Sequence, residues 1–273
     1  MNLNSIELSI LLPALAAGLL VTATHVPLGM QVLARGIVFI DLAIAQIAGC
    51  GVLLADRFGF EAEGIAVQIA ALAATLGGAL LLTWTERRWP DVQEAVIGVV
   101  FVLAATGGVL LLASNVHGSE HLRDLLVGQI LWVRPQQLIW AAAIYAVLLA
   151  LWFGVGTRLG RTGFYVIFAC AVTVSVQLVG VYLVFATLIV PPLATRTLTR
   201  ARLAVAWTIG AIGYAIGLAG SASLDLPSGP AVVWTLVVVA LVVYAIAARR
   251  SPRSGRRATR DVIDWAHPER PSR

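Results

Sequence analysis

Long apolar runs alternate with brief polar interruptions along this chain. The runs cover roughly 8–28, 37–55, 64–84, 94–113, 136–156, 164–190, 204–222 and 231–248. A helix needs about 20 apolar residues to cross a bilayer, and most of these runs reach that length. A shorter run, 122–133, is flanked by Arg123, Asp124 and Arg134. The polar interruptions (Pro27–Gly29 with Arg35, Asp56–Glu63, Glu86–Asp91, Ser114–Asp124, Arg158–Arg161, Pro191–Arg202, Asp225–Pro230) leave no room for a soluble domain. A transmembrane β-barrel would show short alternating segments instead, and no short fixed-period repeat is visible. The pattern predicts an all-α polytopic transmembrane helical bundle of eight or nine spans.

The Arg-bearing loops set the expected orientation. Loops 85–93 and 191–203 and the C-terminal tail are cytoplasmic candidates. Loop 56–63, with Asp56, Glu61 and Glu63 against Arg57, is the external candidate. Loop 157–163 conflicts with this scheme. It carries Arg158 and Arg161, yet one apolar window separates it from loop 191–203. Two topologies resolve the conflict. In one, 122–133 spans despite its length, which makes nine spans. In the other, 164–190 is a broken hairpin returning to its own side, marked by Thr173, Ser175, Gln177 and Gly180, since irregular backbone at depth is tolerated where it lines a cavity. The expectation is nine spans, or eight plus a half-helix, with the N-terminus outside and the C-terminus inside.

Composition agrees: 59% of the 273 residues are hydrophobic and 12% charged, with mean hydropathy +0.90. All 19 basic residues are Arg. Without Lys there is no Walker A motif and no Schiff-base chemistry, so ATP-driven work would fall to a partner. Residues 249–273 hold eight Arg against Asp261, Asp264 and Glu269, while the remainder is balanced. That divides the chain into a permease-like membrane domain, 1–248, and an Arg-rich cytoplasmic tail, 249–273, expected to be disordered. Positive-inside retention explains the tail without nucleic acid. Met1–Ser9 lacks a basic n-region, so the first run is expected to remain as a span. Cys50 and Cys170 lie inside apolar runs and read as small buried hydrophobes.

Polar groups inside apolar windows carry the candidate chemistry. Asp41 offers a hard oxygen ligand to a divalent cation; alternatively it interacts with its helix dipole or with Arg35. Gln46 is five residues on, about 140° around a helix, so the two do not share a face. His117 and His121 form His-Gly-Ser-Glu-His, with a spacing that suits metal only if the loop is helical; a solvated loop is the simpler reading. His25, beside Pro27, reads as interfacial. Gly213-x-x-x-Gly217 suits close helix packing, within the bundle or at a dimer contact. Pro191-Pro192 ends a long apolar run and precedes Leu193-Ala-Thr-Arg-Thr-Leu198. Pro is well placed at a first helical turn, so a short basic helix is predicted there, with a plain loop as the alternative.

Three blocks carry a family resemblance. Phe39-Ile-Asp-Leu-Ala-Ile-Ala-Gln-Ile-Ala, the stretch Val179–Thr199, and Asp225-Leu-Pro-Ser-Gly-Pro230 resemble, in order, segments of the permease subunit of metal-ion (zinc, manganese, iron) ABC importers. Leu125-Leu-Val-Gly-Gln-Ile-Leu adds a weaker match. The resemblance spans about 10–248. It departs at Ala45, where the family has a His four residues after Asp, and at Arg161-Thr-Gly-Phe, where it has an acidic segment. It implies a type II ABC-importer-like fold in a bacterial inner membrane, surrounded by lipid. It further implies a homodimer forming the path, a separate ATPase with Walker A, and an extracytoplasmic metal-binding protein. No cofactor would be permanently bound; the divalent metal ion is cargo. Asp41, and more weakly Gln46, His117 and His121, would line the metal path. Pro191, Pro192, Ala194, Thr195, Arg196, Thr197 and Leu198 would couple to the ATPase. The competing class is a self-contained secondary transporter or channel for a small cation. An intramembrane enzyme lacks its motifs.

Overall fold

The computed structural model describes residues 3–60, 64–112, 130–155 and 160–250. Among these, nine α-helices carry the fold: α1 (Leu3–Arg35), α2 (Ile40–Arg57), α3 (Ile65–Arg88), α4 (Gln93–Leu112), α5 (Pro135–Val155), α6 (Gly160–Val179), α7 (Val181–Ala194), α8 (Arg202–Leu224) and α9 (Ser228–Arg250). Short 3₁₀ turns at Pro90–Val92 and Ile130–Trp132 precede α4 and α5. Seven helices are long and apolar enough to cross a membrane. The eighteen-residue α2 misses that group through Asp41, Asp56 and Arg57 at its ends. At fourteen residues, α7 is roughly 21 Å long, short of the ~30 Å hydrocarbon core. Eight full-length helices plus a half-helix is therefore the observed count among the described residues.

Helix α1 runs through Pro13 and Pro27 without ending, so the polar interruption expected near Pro27–Gly29 is not a loop. Proline removes one backbone donor. Residues 24–29 are buried by neighbouring helices, which tolerate that loss in a membrane helix. The helix ends where Gly36 takes φ 70°, a left-handed value that releases the chain.

Side-chain ties fix the helix directions. Arg35, at the end of α1, lies 3.9 Å from Glu86, near the end of α3, and Arg161, at the start of α6, lies 4.0 Å from the same carboxylate. Arg87 donates to Thr162 Oγ1 (2.8 Å), and the Phe39 amide donates to Glu94 Oε1 (3.2 Å). Trp152, late in α5, packs on Phe164. The end of α7 also lies here, because Gly29 of α1 abuts Leu188 and Pro192. Gly18 and Gly210 pack on Tyr214 and Thr22, which sets α8 antiparallel to α1 and starts it at the same end. Gly213 and Gly217 receive Leu236 and Val232, which sets α9 antiparallel to α8. The Gly213/Gly217 stripe thus packs inside the bundle.

These helix directions place both basic loops, 157–163 and 191–203, at one end of the bundle. Helix α6 leaves the Arg35/Glu86 end, and α7 returns to it. The break is at Gly180, whose φ 83° and ψ 162° are accessible essentially to glycine alone. Arg161 and Arg196 therefore lie at one end because 164–190 is a broken hairpin. Helix α4 leaves that end while α5 returns to it, so Leu112 and Pro135 lie at the same end. Arg35, Arg87, Arg88, Arg161, Arg196, Arg200 and Arg202 gather at this end, whereas Arg57 and Arg134 lie at the other. The N-terminal end of α1 and the C-terminal end of α9 are on opposite faces.

The core runs along α6, α7 and the buried face of α1, with Phe168, Tyr165, Leu183, Leu188 and Tyr214 almost wholly enclosed. Buried hydroxyls tie these helices together. Thr173 donates to Thr75 (2.9 Å), Tyr145 bonds Ser175 (2.6 Å), and Thr187 bonds Tyr214 (2.9 Å). In membrane proteins such bonds average about 0.6 kcal/mol. Thr173 and Ser175 are thus engaged in packing, Gln177 is exposed, and the irregularity they were expected to mark is confined to Gly180.

Candidate functional site: a buried carboxylate and the basic end of the bundle

Asp41 sits in the first turn of α2, with no exposed surface and neither carboxylate oxygen hydrogen-bonded. Its backbone is placed by the short 36–39 turn, where Ile37 N–H donates to Val32 O and Ala43 N–H donates to Phe39 O. No side chain caps this helix. The helix dipole supplies a local positive potential there. Arg35 is not the partner. It pairs with Glu86 and lies 4.4 Å over the Phe164 ring. Isolated buried charge is costly, so an unpartnered carboxylate here is a functional signal.

Gln46 is half-buried on another face of α2. Ala45, where a family histidine would stand, is buried. His117 and His121 lie outside the described residues. Among the described residues no group of three or more His, Cys, Asp and Glu gathers around one point.

His25 corrects the sequence reading. It is fully buried at mid-helix, ten residues before α1 ends, and not interfacial. Its Nδ1 lies 3.1 Å from Val21 O and 3.0 Å from Thr24 Oγ1, while Nε2 has no partner. A neutral ring donating from Nδ1 to the carbonyl leaves a bare lone pair on Nε2. At helical spacing His25 shares the face of Gly18, Thr22 and Gly29 that meets α7 and α8. The signal available in sequence was a histidine within an unbroken apolar pattern; Pro27 masked it by suggesting a helix end.

The Pro191–Leu198 segment also differs from expectation. Pro191 and Pro192 do not open a helix; they form the last turn of α7, and both are buried. Without an N–H, Pro192 leaves Leu188 O unpaired within the helix, and Gly29 of α1 presses on that carbonyl. Thr195 closes the turn. Its hydroxyl donates to Pro191 O (3.0 Å) and its amide to the same carbonyl (3.3 Å). Leu198 N–H donates to Thr195 O (3.0 Å), and Arg202 reaches Pro192 O (3.4 Å). Ala194 and Thr195 are buried, while Arg196 and Thr197 are exposed. The segment is a capped turn that presents Arg196 outward. The predicted short helix is absent because Thr195 satisfies the carbonyls that continued helix would have used.

A buried carboxylate without a partner, in a bundle whose central helix pair is broken at depth, defines an α-helical membrane transport protein. The chain belongs to the ABC 3 transport family, which it matches over residues 7–159 and 150–247. It is 27% identical over 256 residues to an uncharacterized membrane protein of Synechocystis sp., covering 85% of this chain and 88% of that one. A probable iron transport system membrane protein of Haemophilus influenzae is 25% identical, covering 90% and 96%. The manganese transport system membrane protein MntC of Listeria innocua is 27% identical, covering 84% and 86%. Among solved structures, PsaBC from Streptococcus pneumoniae in complex with Fab has the same fold. Its TM-score is 0.70 at 20% identity, covering 86% of this chain and 91% of that one.

Proposed function

We propose that this chain is the membrane-spanning permease subunit of an ATP-driven importer of divalent metal ions. The chain pairs with a second copy to enclose the path, and a separate ATPase docks on its Arg-bearing end. That end faces the cytoplasm, in keeping with positive-inside retention, and the N-terminus is external. An extracytoplasmic metal-binding protein delivers the ion to the opposite end. The tail after residue 248 is cytoplasmic.

The carrying observation is Asp41, buried, unpartnered and set at a helix N-terminus. Carboxylate oxygen suits manganese, whereas imidazole is a donor that suits zinc and iron. Ala45 in place of the family histidine, and a relative named for manganese transport, support that preference. Two copies of Asp41, one from each protomer, would supply the charge that neutralises a divalent ion. Arg196, exposed on the turn after α7, is the coupling contact, while Pro191, Pro192, Ala194 and Thr195 hold that turn rigid. Thr197 and Leu198 complete the docking surface.

The test is purification of the tagged chain from its own membranes in gentle detergent. A stoichiometric partner carrying Walker A is expected. Arg196→Glu should then retain the complex in folded form and hydrolyse ATP while transporting less than a tenth of the wild-type metal. A chain that emerges alone even after crosslinking would instead mark a self-contained, gradient-driven transporter. Normal transport by Arg196→Glu would remove the coupling assignment.

A further inference from the structure

Asp41 is fully enclosed although it stands in the first turn of α2, at the Arg-bearing end of the bundle. The packing of α2 shows what covers it. Cys50 donates to Ala104 O of α4, and Asp41 lies nine residues earlier, about 180° around the helix. Ile47 and Gly51 meet α3 at Gly78 and Ala71, and lie about 120° and 80° from Asp41. Asp41 therefore faces away from α4, toward α6 and α7, on which α2 also packs. Because α2 and α6 start at the same end, Asp41 is level with the first turns of α6.

Those turns are held by charge. Glu86 Oε1 of α3 lies 4.0 Å from Arg161 of α6 and 3.9 Å from Arg35 of α1. Arg35 also covers the Phe164 ring, and Arg87 donates to Thr162. Gln93 of α4 donates to the Tyr165 hydroxyl (3.4 Å). The cluster is closed without being locked. Both ion pairs are longer than the 2.7–2.9 Å of a charge-assisted hydrogen bond, and Glu86 Oε2 is buried with no hydrogen-bond partner. Helix α6 is also bracketed by two glycines with left-handed φ, Gly160 at 62° and Gly180 at 83°. Residues at element ends that absorb backbone rotation are hinges.

We propose that Glu86 is a gating residue, and that the Arg35–Glu86–Arg161 cluster is the gate over Asp41. While one carboxylate holds both guanidinium groups, the first turns of α6 shield Asp41 from the path. When Glu86 releases them, α6 tilts on its glycine ends and uncovers Asp41. Only then do the two copies share an ion, and only then does the ion leave toward the cytoplasm. The purpose of the gate rests on the reading of Asp41 as the cargo site. Its existence rests on the packing of α2 and α6.

The first experiment reads access, not transport. Asp41→Cys is placed in the full-length chain with Cys50→Ala and Cys170→Ala. Its reaction with a cationic methanethiosulfonate reagent is timed by mass spectrometry in inside-out membrane vesicles. Labelling should be slow while the cluster is intact. Glu86→Gln or Arg161→Gln should speed it about 10-fold, the scale of one partly buried ion pair. Arg57→Gln, at the opposite end of α2, should not. Variants are compared at the same interval below their own melting temperatures. The second experiment keeps Asp41 and joins Glu86→Cys to Arg161→Cys with a flexible, cleavable thiol cross-linker, again with Cys50→Ala and Cys170→Ala. The bridged chain should stop importing manganese until the linker is cleaved. A labelling rate that ignores both Glu86→Gln and Arg161→Gln overturns the gate, and so does unimpaired import by the bridged chain. If no version imports metal while labelling still follows Glu86, the importer reading fails and the gate stands.

Discussion

Gly29→Ala should separate α1 from α7, and the structure sets the size of the effect. A methyl at position 29 would collide with Leu188 O, stand 2.9 Å from Leu188 C and 3.0 Å from Pro192 Cγ. Two of these atoms are backbone in a helix turn locked by Pro191, Pro192 and the Thr195 cap, so they cannot swing aside. Ordinary carbon contacts lie near 3.5–4.0 Å, so the helices must part by about 1 Å or more. Overpacking of this kind costs about 1–3 kcal/mol. Gly77 in α3 is the matched control: it faces open space, with nothing within 4 Å of an added methyl. Alanine there should gain up to ~1 kcal/mol of helix propensity. Gly29 is helical too, so that gain cancels and the two variants should differ by the overpacking cost, about 1–3 kcal/mol. At about 2–4 °C per kcal/mol, their melting temperatures in one detergent should differ by roughly 2–12 °C, Gly29→Ala being lower. Thermal unfolding followed by tryptophan fluorescence reads this directly. Equal melting temperatures would refute the close α1–α7 approach and the account of Pro192 freeing the Leu188 carbonyl.

Three further outcomes are expected. Gly180→Ala forces an L-residue into a glycine-only backbone region and should cost about 1–3 kcal/mol, read as a lower melting temperature; an unchanged value would argue against the break at that residue. Glu86→Gln leaves Arg35 and Arg161 facing each other without their shared anion, and since Glu86 is only 14% exposed the cost should fall at about 1–3 kcal/mol, between the surface and buried limits. Adding Arg161→Gln should restore part of that loss in a double-mutant cycle, and strict additivity would show that the three charges do not interact. Asp41→Asn should abolish metal uptake while leaving the protein at least as stable, because it removes an unpartnered buried charge; uptake at the wild-type rate would take Asp41 off the path.

Several features were legible from the residues because each is local. Apolar run length announces a membrane helix through the thickness of the bilayer, and the bundle follows from repeating that pattern. The basic loops, the Gly213/Gly217 packing stripe and the resemblance of the Asp41 and Val179–Thr199 blocks were equally readable. The missing lysine excluded a Walker A motif in this sequence before any fold was considered. Local rules misled at the prolines. Pro27 suggested a helix end beside His25, and Pro191-Pro192 a helix start. Both are interior, because in a packed bundle the neighbouring helices and the Thr195 hydroxyl replace the lost backbone contacts.

What tertiary structure alone decided is which ends meet. Sequence could state that loops 157–163 and 191–203 are both basic, but not that one break at Gly180 returns the chain to the same face. Nor could it choose between Arg35 and the helix dipole as the company of Asp41; Arg35 is taken by Glu86, fifty-one residues away in sequence. Sequence fixes each helix through the solvent it must enter, a short-range requirement. Pairings among helices depend on which small residues, freed carbonyls and buried charges come to face one another, and that is settled only when the whole bundle closes.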